Sequence, residues 1–243
     1  MRAAIAAGHA DVDHAALAPS ATGGVAPGVL FRALQKRFGP ATIFTTDSGN
    51  GTFLAVELLK LDRPGQLLAP VDYSCMGYSV PAAIGAKLAR PDAPVVALAG
   101  DGAFLMTGLE LLTAAQLGVP VVAIVLRDGE LAQISQFQSV ALDRKVCSTL
   151  PGYDLTSICR GVGVECLALA SEADIDGVLA RAADIASSGR PVAIDVAIDY
   201  SRRSFFTRGV VATNLRRLPW RDRLRFVGRA IARKVAGAIG GKS

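Results

Sequence analysis

Two short apolar runs, Val95–Ala99 and Pro120–Leu126, constrain this chain more than any other feature, because each runs into a turn that ends in an aspartate. Uniformly apolar runs of this length suit strands buried on both faces. Between them, Gly100-Asp101-Gly102 turns the chain, and Phe104–Leu117 has the length and apolar content of a helix. A strand–helix–strand unit puts its two strands parallel, here as neighbours, with their C-terminal ends on one edge of the sheet.

The same alternation runs through most of the chain. The pattern predicts helices over Pro27–Arg37, from the polar turn Asp47–Gly51 to about Lys60, Val80–Ala89, Leu155–Arg160 and Glu172–Ala186. It predicts further strands over Thr42–Thr46, Val164–Leu167 and Val192–Val196. The fold class is therefore α/β, a doubly wound, mostly parallel sheet with helices on both faces. Residues 1–26, rich in Ala, Gly, Ser and Pro, read as a flexible lead-in. Residues 27–200 form the domain, and 201–243 a basic tail.

Composition removes several kinds of chemistry. Half of the 243 residues are apolar and 19% are charged, a globular balance. The four cysteines, Cys75, Cys147, Cys159 and Cys166, form no CxxC pair, and the two histidines, His9 and His14, lie near the N-terminus. That disfavours a zinc ribbon, an iron–sulfur cluster, a Ser-His-Asp triad and a Cys-His dyad. The cysteines read mostly as reduced, buried filler. The uncharged run Leu111–Leu126 has 16 residues and contains Gly118 and Pro120, short of the ~20 a membrane span needs. With no secretory h-region visible at the N-terminus, a soluble cytoplasmic protein is expected.

Charge is divided unevenly. Residues 1–200 hold 14 Lys/Arg and 20 Asp/Glu, net −6, whereas 201–243 hold 12 and 1, net +11. In the tail, Trp220, Leu224, Val227, Ile231 and Val235 fall at helical spacing, with Arg221, Arg225, Arg229 and Arg233 on other faces. This amphipathic helix is expected to dock on its own domain or a neighbouring subunit, with an anionic membrane surface as the alternative. No nucleic-acid-binding motif accompanies it.

Asp101 and Asp128, 27 residues apart, close the two central strands. As a dinucleotide fingerprint, Gly100-x-Gly102 would be the phosphate turn and Asp128 the ribose-binding acid. Leu105 stands where that fingerprint wants a small residue, and Asp101 would face the pyrophosphate. A divalent cation between the acids and a diphosphate turns the repulsion into attraction. Mg²⁺ takes six oxygens, several of them from phosphates; here Asp101, Asp128 and the Glu130 carbonyl would contribute. Gly102 would let the backbone approach the phosphate, with the amides of the following helix beside it.

Gly100-Asp101-Gly102 followed by Asp128-Gly129-Glu130 resembles the GDG…NN or GDG…ND signature of thiamine-diphosphate enzymes. The stretch GDGAFLMTGLELLTAAQLGVPVVAIVL is similar to the diphosphate-binding (PP) domain of the acetolactate synthase family. So is Cys75-Met76-Gly77-Tyr78 with the downstream PAAIGAKLARPDAPVVALAGDG. The likeness spans roughly Val25 to Tyr200. It implies thiamine diphosphate and Mg²⁺ as cofactors, with Asp101, Asp128 and the Glu130 main-chain oxygen on the metal. It implies that Gly100, Gly102 and Ala103 meet the diphosphate, and that Met76 props the cofactor in a bent form. The Ser74 carbonyl would accept from its aminopyrimidine, and Gly49, Asn50 and Thr52 would belong to the second diphosphate loop.

The chain departs from the family in three ways. Arg127 and Asp128 stand where the family commonly has Asn, and Gly51 where many relatives have His. The pyrimidine-binding (PYR) domain, which carries the activating glutamate, has no room before Pro27. The resemblance therefore implies one subunit of a split acetolactate synthase-like enzyme. It would act on a small-molecule 2-oxo acid by decarboxylation with carboligation, in a hetero-oligomer with a PYR-domain partner, without a catalytic residue of its own. A simple 2-oxo-acid decarboxylase subunit, or a non-catalytic cofactor-binding or regulatory subunit, is the alternative.

Overall fold

The computed structural model describes residues 18–142, 144–202 and 210–240. Six strands, β1 (Ile43–Thr46), β2 (Leu67–Leu68), β3 (Val95–Gly100), β4 (Val122–Arg127), β5 (Glu165–Leu169) and β6 (Val192–Ala197), form one all-parallel sheet. Their order is β2-β1-β3-β4-β6-β5. After β1 the chain moves outward to β2, and after β3 it moves the other way to β4. The strand order thus reverses between β1 and β3, which opens a crevice at their C-terminal ends.

Strand periodicity sorts the core into two layers. Val96, Leu98, Ile124, Leu126, Ile194 and Val196 face α1 (Pro27–Phe38), α2 (Asn50–Leu58) and α8 (Ile175–Ser187), whose Leu34, Leu54 and Ile185 meet them. The alternate residues Ala97, Ala99, Ala123 and Ala193 face the other layer. That layer comprises α3 (Ser79–Ala89), α4 (Asp101–Thr107), α5 (Leu111–Leu117) and α7 (Leu155–Gly161). Alanines on this face make room for Phe104 and Leu111 against the strands. Proline at its start, two cations in its last turn and Gly39 after its end delimit α1. Its fully buried Leu30, Phe31 and Leu34 each contribute about 1.5–3 kcal/mol of burial free energy.

Several expectations need correction. The single helix expected over Phe104–Leu117 starts at Asp101 and is broken at Gly108–Glu110 by a 3₁₀ turn. A Cβ on Gly108 would lie 2.6 Å from the Phe104 ring, so the break lets the chain pass that ring closely. The end of the lead-in is tied down. Ser20 Oγ and the Ala21 N–H donate to Asp199, the Ser20 and Ala26 N–H groups donate to Glu172, and buried Val25 bridges Ile198. Residues 1–17 lie outside the described residues. Cys159 is buried and Cys166 half-buried, but Cys75 and Cys147 are exposed.

Three elements lack a counterpart in the sequence reading: β2, α6 (Ala132–Leu142) and α9 (Val210–Arg217). The tail helix α10 spans Trp220–Gly240. Its Trp220, Leu224, Val227 and Ile231 are exposed, so this stripe does not dock on the chain's own domain. Val235 and Arg233 fall where side chains lie outside the described residues. No helix among the described residues is long and apolar enough to cross a membrane.

Candidate functional site

The crevice at the C-terminal ends of β1, β3 and β4 holds a cleft of about 590 Å³, open mouth included. Its walls are Asp47–Gly51 after β1, Gly100–Ala103 after β3, Asp128 and Glu130–Ile134 after β4, together with Met76 and Tyr200. Ten of the eleven sequence-selected residues fall on or beside this cleft. Ser74, in the exposed loop before α3, hydrogen-bonds its hydroxyl to Ser48 Oγ at 2.8 Å on the rim.

Register sets the central pair. Gly100 pairs with Leu126 across β3 and β4, so Asp101 and Asp128 leave adjacent strands one residue out of step. Asp101 is buried and accepts the Gly102 N–H on Oδ1 and the Gly129 N–H on Oδ2, each at 2.8 Å. Burial pushes its carboxyl up, and those amides hold it partly down. Asp128 is pushed up to about 7, first by burial and then by the Asp101 charge. Two carboxylates pushed up by burial in a half-closed cleft, one of them also by its neighbour's charge, form a site that favours added positive charge.

Glu130 plays a different part with its side chain than with its backbone. Its carboxylate pairs with Lys145 and accepts from Ser135 Oγ at 2.6 Å, and these bonds, the lysine's first, hold it below the usual carboxylate range. Its backbone faces Thr149 across an antiparallel bridge. The bonds from the Leu131 N–H to the Ser148 carbonyl and from the Leu150 N–H to the Gly129 carbonyl flank that pair. In such a pair the residue's own N–H and C=O point away from the partner strand. The Glu130 N–H indeed turns to Asp128 Oδ1, at 3.3 Å. Its carbonyl lies on the same edge.

The donor chemistry fits Mg²⁺: two carboxylates and one carbonyl, all hard oxygens, with room for phosphate and water. Among the described residues no group of three His, Cys, Asp or Glu side chains is placed to hold a metal ion. A cation here would depend on the backbone oxygen and on its ligand. Space for a phosphate is also present, since a Cβ on Gly100 would meet nothing within 4 Å. The Thr52 hydroxyl at the start of α2 is buried without a partner.

Met76 reaches the cleft floor because Asp47 shapes its loop. Asp47, buried at the end of β1, accepts the Gly77 and Tyr78 N–H groups on Oδ1 at 2.6 and 3.3 Å, and the Ser79 N–H on Oδ2 at 3.0 Å. Gly77 sits at φ +86°, where a Cβ would come 2.8 Å from Thr107 Cγ2. The Thr107 hydroxyl donates to the Gly77 carbonyl at 2.9 Å. A Cβ on Gly102 would lie 2.5 Å from Leu131 Cδ2 and 3.4 Å from Met76 Cε. Gly102 therefore admits both side chains to the cleft wall.

Sequence reasoning misses four parts of this site. Asp47 is read as the start of the polar turn Asp47–Gly51, by resemblance the second diphosphate loop, and not as the acceptor that shapes the Met76 loop, although its place at a strand end was a usable signal. Leu131 and Tyr200 carry no motif. Burial and the charges of Asp128 and Asp101 push the Tyr200 phenol well above its usual range. Arg127, placed after the strand in the sequence reading, ends β4 and pairs with Asp195 Oδ2 at 2.6 Å.

A model of the thiamine pyrophosphate enzyme C-terminal TPP-binding domain matches residues 47–196. The acetolactate synthase large subunit of Corynebacterium glutamicum is 30% identical over 179 residues, covering 70% of this chain and 28% of the relative. A sulfoacetaldehyde acetyltransferase of Alcaligenes xylosoxydans xylosoxydans is 29% identical over 194 residues, 79% of this chain and 32% of the relative. Among solved structures, a Rhodococcus jostii RHA1 thiamine diphosphate-dependent 4-hydroxybenzoylformate decarboxylase superposes with a TM-score of 0.67 at 27% identity. That match covers 74% of this chain and 33% of the decarboxylase chain. The chain spans about a third of the length of the curated relatives it matches.

Proposed function

The chain belongs to the thiamine pyrophosphate enzymes, as their C-terminal TPP-binding domain, and on that premise we propose that it is the cofactor-holding subunit of a split acetolactate synthase-like enzyme. Its substrate class is 2-oxo acids, decarboxylated with carboligation, and it works in the cytoplasm. The observation that carries this reading is the Asp101–Asp128 pair at neighbouring strand ends, with Asp128 pushed up to about 7.

In this reading Asp101, Asp128 and the Glu130 carbonyl would hold Mg²⁺ beside the diphosphate. Ala103 would present its first-turn amide to the phosphates, Gly102, whose own N–H is held by Asp101 Oδ1, would line the cleft beside them, and Gly49, Asn50 and Thr52 would close the opposite side. Met76 would prop the cofactor, and the Ser74 carbonyl would accept from its aminopyrimidine. When bound, thiamine diphosphate supplies a nucleophilic thiazolium carbon and an electron sink for loss of carbon dioxide. The chain's own residues orient it and keep one wall dry through Leu98, Leu126 and Leu131.

Exposed Leu105, Met106 and Leu109 on the α4–α5 segment support a partner domain seated there. That partner would supply the activating glutamate of a PYR domain and the rest of the substrate pocket. The likeness to a 4-hydroxybenzoylformate decarboxylase favours a second reading, decarboxylation without carboligation.

Calorimetry of the purified chain with thiamine diphosphate tests the site. Binding is expected with Mg²⁺ and lost with excess chelator; equal affinity in both would overturn the metal assignment. The chain alone is expected not to turn over pyruvate, and turnover by a verified pure chain would overturn the split arrangement.

A further inference from the structure

Trp220, Leu224, Val227 and Ile231 recur every three or four residues along α10 and form one stripe. They are 65%, 64%, 43% and 59% exposed. At 3.6 residues per turn, Arg225 and Arg229 stand on the opposite side of the helix, with Arg221 and Arg223 flanking the stripe. The helix approaches α6. Phe226, on the side away from the stripe, is its half-buried aromatic residue, so the stripe itself faces outward.

Charge decides what can cover it. Between Trp220 and Gly240 stand six Lys/Arg and one acid, Asp222. A helix of 21 residues with this charge does not cross a bilayer. Cations on one face and Trp, Leu, Val and Ile on the other suit the boundary between headgroups and acyl chains. Residues 1–200 carry a net charge of −6, so the same anionic surface that attracts the tail repels the domain. An apolar protein groove would cover the stripe and leave the cations without counter-charge, whereas an anionic bilayer covers the one and neutralises the other.

We propose that α10 is a membrane-surface anchor, lying flat on an anionic lipid bilayer with Trp220, Leu224, Val227 and Ile231 in the interface and its arginines at the phosphates. The domain and its cleft then stand off in water. This is independent of which 2-oxo acid the cleft serves.

Trp220 is the one tryptophan of the chain, so its emission reports the stripe directly. The full chain is titrated with phosphatidylcholine vesicles, with and without phosphatidylglycerol. With the anionic lipid, emission is expected to move to shorter wavelength, and partitioning to rise by at least about tenfold over the neutral vesicles. High salt should reverse most of the gain. Leu224→Glu with Ile231→Glu, and separately Arg225→Glu with Arg229→Glu, should abolish the response while thiamine diphosphate binding stays unchanged.

Equal partitioning into both vesicles, or none, would overturn the proposal. So would a wavelength shift without lipid that grows with protein concentration, which would mark a second copy on the stripe. A shift with duplex DNA and not with anionic vesicles would overturn it in favour of nucleic acid. Retained lipid binding in the Leu224→Glu, Ile231→Glu variant would remove the stripe from it.

Discussion

Replacing Asp128 by asparagine should make the metal-free protein more stable at alkaline pH. In the unfolded chain an aspartate titrates near pH ~3.9; in the fold Asp128 is pushed up to about 7. Between those values the folded state holds a proton that the unfolded state has lost. Stability contributed at this position therefore falls as pH rises from about 4 to about 7, and levels off above. At 1.36 kcal/mol per unit, the full shift would approach ~4 kcal/mol. Water in the open cleft screens the charge, which leaves about 1–2 kcal/mol.

Asparagine keeps an oxygen for the Glu130 N–H and removes the titrating charge. Urea or calorimetric melts in chelator at pH 5 and pH 8 measure the difference. The variant should match the wild type at the acid end and exceed it at the alkaline end, by roughly 2–8 °C in Tm for a chain of this size. Mg²⁺ should then stabilise the wild type more than the variant, because it binds only the folded state. Parallel pH profiles for the two proteins, with no divergence above pH 5, would refute the reasoning.

Asp47→Ala removes the acceptor of the Gly77, Tyr78 and Ser79 amides. It should cost about 2–3 kcal/mol in urea melts and weaken thiamine diphosphate binding, with Asp47→Asn recovering part of both. Gly102→Ala should fold with a loss within ~1 kcal/mol, because the Leu131 tip can swing aside. It should still lower cofactor affinity by calorimetry, since the displaced tip and Met76 share the cleft wall. Gly77→Ala combines a left-handed backbone with a Cβ 2.8 Å from Thr107, and should destabilise by roughly 1–3 kcal/mol in the same melts.

Most of the sheet is legible because strands buried on both faces leave unmistakable apolar runs, as at Val95–Gly100 and Val122–Arg127. β2 is two residues long and half-buried, too short to leave a period. α6 is hidden for another reason: Ala132–Leu142 carries no charged residue and mixes Gln and Ser among its apolar positions. Its contrast between faces is weak, and its order depends on neighbours such as Ser148 and Val146, which bond to Gln138. The helix over Phe104–Leu117 reads as continuous because propensity does not register the Phe104 ring lying against Gly108. In the site, Asp101 and Asp128 stand out because their spacing and strand-end positions recur in one motif. Asp47 does not, since its partners are about 30 residues away and are backbone amides, which no side-chain pattern encodes.

The amide cluster on Asp47 has a consequence for the order of events. Because the carboxylate fastens residues 77–79 from within the chain, the loop that brings Met76 to the cleft is set when the polypeptide folds. On the proposed function, the coenzyme would then restrain few further torsions on arrival.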